Sequence, residues 1–425
     1  PRPHASGMTF REWQSLSPEA AAREVHRRAA ALLSPAQRRA AIESLIPLEQ
    51  LAANFDAARG AGPLAGVPFL AKDLFDFAGT PTFAGSTFLP EVRPAGKSDG
   101  AFARALRGAG AVFAGKTRMH EFAYGITGEN PHHGDCEVPG HPGRTTGGSS
   151  SGSAVAVAAG IVPFALASDT GGSVRVPAAF CGLHGFRMTP AHPWIADAVP
   201  LSPTFDTAGW FTRGAEDMLS TLEALVPATA EPRRVPRGVY LPLPDLDPEV
   251  AGACAAAAEK ICAPAAAELS RELLAGFEPA LSAYHTIVAV EAWEFHRGWA
   301  EANRTRYDPL VWQRLQRHRE IAPEQATAAR STVVNVRDVW DAYFRQHDFL
   351  VMAAAPAAAP TKAGCTLEMR NRLIRINAPA SLGGLPVLTL PVVLPSGLAT
   401  GLQVVARRAD SAVFRQVLAA VAGNR

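Results

Sequence analysis

Two serines set behind glycine pairs carry the most chemistry in this chain. Ser149 follows Gly147-Gly148 and Ser173 follows Gly171-Gly172, 24 residues apart. A serine on a glycine turn can act as a nucleophile if a neighbouring group takes its proton. Backbone N–H groups on such a turn can hold the negative charge that develops on an attacked carbonyl. The proton acceptor must come from elsewhere. Of 41 basic residues only five are lysines, at 72, 97, 116, 260 and 362, which leaves 36 arginines. Arginine keeps its proton in a protein, whereas a buried lysine can lose it. Lys72 ends an apolar run, 67–71, that reads as a short buried strand. A lysine in that place is costly unless it is paired or neutral.

Residue types alone leave several readings open. Gly148, Ser150 and Gly152 satisfy the G-x-S-x-G of a nucleophile elbow, but that motif needs a strand before it, and residues 141–146 do not read as one. None of the five lysines has a serine three positions earlier, so a Ser-x-x-Lys pair is ruled out. Ser149 reads equally well as a turn serine satisfying a backbone group. Lys72 also reads as a structural cation paired with Asp73 or Asp76. His132, His133 and His141 sit in a loop rich in Gly, Pro and His, yet no acidic or Cys partner stands at regular spacing from them, so no metal site is expected. Gly115-Lys116-Thr117 lacks the upstream glycines of a phosphate loop.

The runs GGSSSGS (147–153) and DTGGSVRVPA (169–178), at this separation, are together highly specific. On them the chain resembles the amidase signature hydrolases. Weaker similarity extends over 62–217 and 377–405. The segments YGITGENPHHG (124–134) and SPTFDTAGWF (202–211) look most like the indole-3-acetamide hydrolase branch. The resemblance implies an α/β fold, with a large mixed sheet flanked by helices on both faces. It implies a Ser-cisSer-Lys triad, with Ser173 as nucleophile, Ser149 as bridging serine behind a cis Gly148–Ser149 bond, and Lys72 as base. It places the oxyanion hole on the N–H groups of Thr170, Gly171, Gly172 and Ser173. Ala123, Tyr124, Gly125 and Ile126 match a wall that binds substrate. Asp169 and Arg175 match positions that brace the nucleophile loop. The implied reaction is hydrolysis of a small amide, aryl-bearing ones included, through an acyl-enzyme, with no metal or organic cofactor. A carbamate hydrolase (a urethanase) and the glutaminase subunit of a tRNA-dependent amidotransferase are the alternatives. Two departures from the family pattern, Arg187-Met188-Thr189 and His120, are expected near the pocket wall.

The elements that must position these residues read as alternating strands and helices, the pattern of an α/β protein. Residues 9–58 read as peripheral helices, opened by Ser17-Pro18 and Ser34-Pro35. Residues 154–166 read as one closely packed element of small apolar residues, and 180–186 as a strand and turn. Residues 193–210 read as a loop edging the pocket. Residues 231–248 form a Pro-rich linker, followed by long helical stretches at 249–274 and 283–319. The aromatics Trp293, Phe295, His296, Trp299, Tyr307 and Trp312 read first as core and second as pocket wall, the latter with Trp194 and Trp210.

The chain has 425 residues, 48% hydrophobic and 19% charged, with net charge +2. That balance suits a globular protein with a sizeable core and no call for nucleic acid or an anionic membrane as partner. No stretch is expected to span a membrane. Five cysteines, at 136, 181, 254, 262 and 365, fit a reducing compartment, and a cytoplasmic location is expected. Residues 1–7 precede Met8 and read as a candidate expression-tag remnant. Residues 8–425 are expected to form one domain, as a monomer or homodimer acting on a small molecule.

Overall fold

The structure, a computed structural model, describes residues 7–228 and 235–422. The candidate tag remnant, apart from Gly7, and residues 231–234 of the Pro-rich linker lie outside the described residues.

Eleven strands form one mixed sheet. They are β1 (Ile42–Leu45), β2 (Pro68–Lys72), β3 (Val112–Thr117), β4 (Phe164–Asp169), β5 (His184–Arg187), β6 (Thr207–Thr212), β7 (Gly238–Tyr240), β8 (Ala263–Pro264), β9 (Phe349–Ala353), β10 (Val387–Val393) and β11 (Ala399–Ala406). Their order is β1-β3-β2-β4-β6-β5-β10-β11-β9-β7-β8. β2 runs parallel to both β3 and β4, while β4 and β6 are antiparallel. Every residue of β2, β3, β4 and β6 is buried. Such strands need apolar residues on both faces, which the Val-, Phe- and Ala-rich runs supply.

Helices cover both faces. Alternate strand residues feed two separate cores: Phe69, Ala71, Phe164 and Leu166 on one face, Leu70, Ala165 and Ala167 on the other. The second face is covered by the helix Ser151–Ala158, whose Ala154, Val155, Ala156 and Val157 join that core. Because its side chains are small, this helix can lie close to the sheet. Gly152 shows how close: a Cβ there would stand 2.3 Å from the Ala41 carbonyl oxygen.

Several sequence expectations need correction. Residues 42–45 form a strand rather than helix, paired antiparallel to β3 at the sheet edge. The run 154–166 is two elements, a helix and β4, separated by a turn at Gly160 with φ +79°. Phe180 and Cys181 end the helix Arg175–Cys181, and only then does β5 begin. Trp210 belongs to the central strand β6, not to a loop, and its indole N–H donates to Thr221. The stretch 249–274 is broken by β8 at Ala263–Pro264. The helical run Ala267–His296 has a window of mean hydropathy 1.3, so by length and composition it could cross a membrane, contrary to expectation. It divides at Pro279 into Ala267–Phe277 and Ala280–His296, and the second part buries Ala283, Tyr284, Ile287, Val288 and Ala292 in the core.

Candidate active site

Lys72 closes β2 and Asp169 closes β4, two adjacent parallel strands, so both come to the same edge of the sheet. Crevices beyond the carboxyl ends of parallel strands are where α/β sheets place ligands. Lys72 lies two residues beyond Leu70 and leaves the sheet on the same face, the one covered by helix 151–158. Ser149 stands just ahead of that helix. The Lys72 amine is fully buried and lies 2.7 Å from Ser149 Oγ and 2.8 Å from Ser168 Oγ. Burial pulls its pKa down to about 7, against the attraction of Asp169 and Asp206. Neither candidate carboxylate pairs with it: Asp73 is 3.1 Å from Lys116, and Asp76 holds Arg93 at 2.6 Å.

The Gly148–Ser149 peptide bond is cis. The Gly148 N–H donates to the Ile126 carbonyl at 2.8 Å, and the Ser149 carbonyl accepts from the His120 N–H at 3.1 Å. The first of these bonds joins the Ser149 segment to the expected substrate wall. Two non-glycine residues with positive φ lead into that wall, Phe122 at 49° just ahead of it and Ala123 at 57° as its first residue. Such conformations are uncommon and persist where surrounding contacts enforce them. Here the Phe122 N–H is held by the Ala84 carbonyl at 2.7 Å, and its ring packs against Phe88, His296 and Tyr307.

Ser173 is 5% exposed and lines a small cavity with Ala123, Tyr124, Gly125, Ile126 and Gly171. The remaining walls are Leu201, Tyr284, Arg370 and Ile374. The tight fit explains two glycines. A Cβ on Gly171 would fall 2.4 Å from the Tyr284 ring, and one on Gly125 would fall 2.0 Å from the His120 ring.

The loop that carries Ser173 is anchored by Asp169. Its carboxylate accepts from the N–H groups of Gly172 (2.8 Å) and Val174 (3.0 Å), from Arg175 Nε (3.0 Å) and Nη2 (2.8 Å), and from Arg187 Nη1 (2.8 Å). Burial alone would raise its pKa, but the two guanidinium groups hold it well below the usual carboxylate range. Because the Gly172 N–H is spent on Asp169, the expected oxyanion donors narrow to Thr170, Gly171 and Ser173. The hydroxyl of Thr170 is tied to Asp206 at 2.5 Å.

The model of the family described as Amidase matches residues 36–413. The chain belongs to the amidase family, whose enzymes act on amide C–N bonds. An indoleacetamide hydrolase of Pseudomonas savastanoi is 42% identical over 208 residues, 47% of this chain and 45% of that one. The 2-amino-5-chloromuconic acid deaminase of Comamonas testosteroni is 32% identical over 371 residues, 82% of this chain and 79% of that one. A crystal structure of an amidase has a TM-score of 0.86 and 29% identity, with 98% of this chain and 100% of that one covered. The match spans less than half the length of several curated relatives, the indoleacetamide hydrolases included.

Within this amidase-family site, sequence reasoning missed several residues. Ser168 is the second hydroxyl on Lys72, and its only signal was a place next to Asp169. Arg187, one of the departures, lies behind the Ser173 loop on Asp169 and not on the pocket wall. His120, the other, is fully buried behind Gly125, where burial and Arg314 hold its pKa well below normal. Tyr284, Arg370 and Ile374 come from helices 280–296 and 367–382, far from the signature in sequence. Trp194 and Trp210 do not line the Ser173 cavity: Trp194 stacks on Phe102 at 4.7 Å. Ser150, the elbow candidate, is fully buried and donates to the Ser168 carbonyl at 3.1 Å.

Proposed function

We propose that the chain is an amidohydrolase that cleaves the C–N bond of a small amide through Ser173, Ser149 and Lys72. The observation that carries this reading is the fully buried Lys72 amine, with a pKa near 7, 2.7 Å from Ser149 Oγ. A neutral amine has two N–H donors and one lone pair. With Ser168 accepting one N–H, the lone pair can face Ser149. Lys72 takes the Ser149 proton while Ser149 takes that of Ser173. Ser173 Oγ bonds to the substrate carbonyl carbon, and the carbonyl electrons move onto oxygen. The N–H groups of Gly171, Thr170 and Ser173 stabilise that oxyanion. The protons return along the same path to the leaving nitrogen, the C–N bond breaks, and the amine departs. Water then takes the place of Ser173 and releases the acid. All steps draw on side chains, backbone and water.

Asp169 and Arg175 serve as positioning residues for the Ser173 loop, and residues 123–126 as the substrate wall. The likeness to indoleacetamide hydrolases supports an aryl-bearing amide. The same acyl-serine steps would serve a carbamate. Strands from both halves of the chain share one sheet, which supports reading residues 8–425 as one domain. The test is active-site labelling with a fluorophosphonate alongside hydrolysis of a panel of primary amides, anilides and carbamates. The label is expected on Ser173, with label and turnover absent from Ser173→Ala. A label on Ser150 instead would replace this scheme with the elbow reading.

A further inference from the structure

Among the described residues, the buried guanidinium groups other than that of Arg370 are well supplied with partners. Arg175 spreads its donors over Asp169, the Asn377 carbonyl, Gln403 and Ser381. Arg314 donates to the Tyr124 carbonyl and approaches His120 Nε2 at 3.2 Å. Arg370 is only 5% exposed, yet its Nε and Nη1 are buried without a hydrogen-bond partner. Among the described residues no carboxylate forms an ion pair with it. Burial and the neighbouring Arg314 lower its pKa to about 9, with Arg317 adding to them and the Tyr124 and Tyr284 hydroxyls opposing. An uncompensated buried charge is strongly destabilising in a folded protein. A chain that keeps one beside its reactive serine has a cationic position to be filled by something outside the chain.

Arg370 lines the same cavity as Ser173, one helical turn before Ile374 and opposite Tyr284. We propose that Arg370 binds a carboxylate on the substrate, so that the favoured substrates are small amides bearing a carboxylate as well as the scissile bond. Its other lining side chains include Ile126, Leu201, Ile374, Tyr124 and Tyr284. An anion entering it finds one charged donor and no competing acid. Charge-assisted Arg–carboxylate bonds are among the strong ones, and their loss is felt mainly in affinity. This inference deepens the amidohydrolase reading and rests on Ser173 being the reactive group.

The test pairs ω-carbamoyl carboxylates with neutral amides in which methyl replaces the carboxylate. The series runs from malonamate through succinamate and glutaramate to 4-carbamoylbenzoate. In the wild type at least one acid should exceed its neutral partner by about 10-fold or more in kcat/KM, mostly through KM. In Arg370→Met that ratio should fall to about 1 or below. Binding of glutarate and terephthalate to Ser173→Ala, by calorimetry, gives a readout that does not depend on turnover. It should weaken about 10-fold or more when Arg370→Met is added. Arg370→Met removes an unpaired buried charge, so the ligand-free variant should melt at or above the wild-type temperature. Melting several degrees lower would mark Arg370 as structural and overturn the proposal. Preference for the neutral amide at every length, with no Arg370-dependent binding, would also overturn it while leaving the amidohydrolase reading standing. Arg370-dependent binding with no amide hydrolysed would do the reverse.

Discussion

Lys72 Nζ lies 2.7 Å from Ser149 Oγ, and the two carboxylates nearest to Lys72 in sequence are engaged elsewhere, Asp73 by Lys116 and Asp76 by Arg93. Burial favours the neutral form of this lysine, outweighing the pull of Asp169 and Asp206 toward the charged form. Lys72→Met removes the acceptor, and Lys72→Arg keeps the charge but cannot become neutral. Both variants should lose about 100-fold or more in kcat, the scale of general-base help. A Lys72→Arg protein that keeps most of its turnover in steady-state assays would remove lysine from the mechanism.

The same amine sets a pH dependence. Its pKa is pulled by burial to about 7, so the neutral, proton-accepting fraction grows as pH rises through that value. Plots of log kcat against pH should climb to a limb near 7 and then level off, and this limb should vanish in Lys72→Met. Stability moves in the same direction. Between about 7 and the ordinary lysine value the unfolded chain binds the proton and the folded chain does not, so this group's contribution rises with pH across that window. The melting temperature of Lys72→Met relative to wild type should therefore be most favourable below pH 7 and lose ground toward pH 10.

Asp169 gathers two backbone N–H groups and two guanidinium groups behind the Ser173 loop. Asp169→Asn leaves Arg175 and Arg187 buried without their shared anion. Removing one partner from a buried ion network costs about 3–5 kcal/mol. Chemical denaturation should show a loss of that order, together with a fall in kcat as the Ser173 turn loosens. Retention of both would mean that the loop is held by something other than this carboxylate.

Specificity should follow Tyr284 and not the tryptophans of the same region. Tyr284 lines the cavity, and its ring sits against Gly171. Trp293 instead stacks on His318 with centroids 4.0 Å apart. Tyr284→Leu should change the ranking of amides in a kcat/KM panel more than it changes melting temperature. Trp293→Ala should do the reverse. A shifted substrate ranking in Trp293→Ala would return that residue to the pocket.

Much of the site was legible because its chemistry is local in the chain. The glycine pairs before Ser149 and Ser173, and the single lysine at the end of an apolar strand, each announce themselves within a few residues. The alternation of apolar runs with helical stretches also sufficed for an α/β fold, since burial on both sheet faces demands such runs. What the residues could not decide was which partner each polar group meets. Lys72 could have paired with Asp73 by adjacency. It does not: Asp73 is taken by Lys116, and the parallel pairing of β2 with β4 brings Ser168, near the end of β4, within 2.8 Å of the amine. The Gly172 N–H belonged by motif to the oxyanion hole until the turn aimed it at Asp169. Short segments such as 42–45 and 180–183 lacked the length to distinguish helix from strand, and sheet-edge pairing and helix capping decided them. Tyr284 and Arg370 lie more than a hundred residues from Ser173, on helices whose sequences carry no motif. Only the packing of those helices over the sheet brings an aromatic ring and an unpaired cation into the Ser173 cavity, because the contacts that define a pocket are made across the fold and not along the chain.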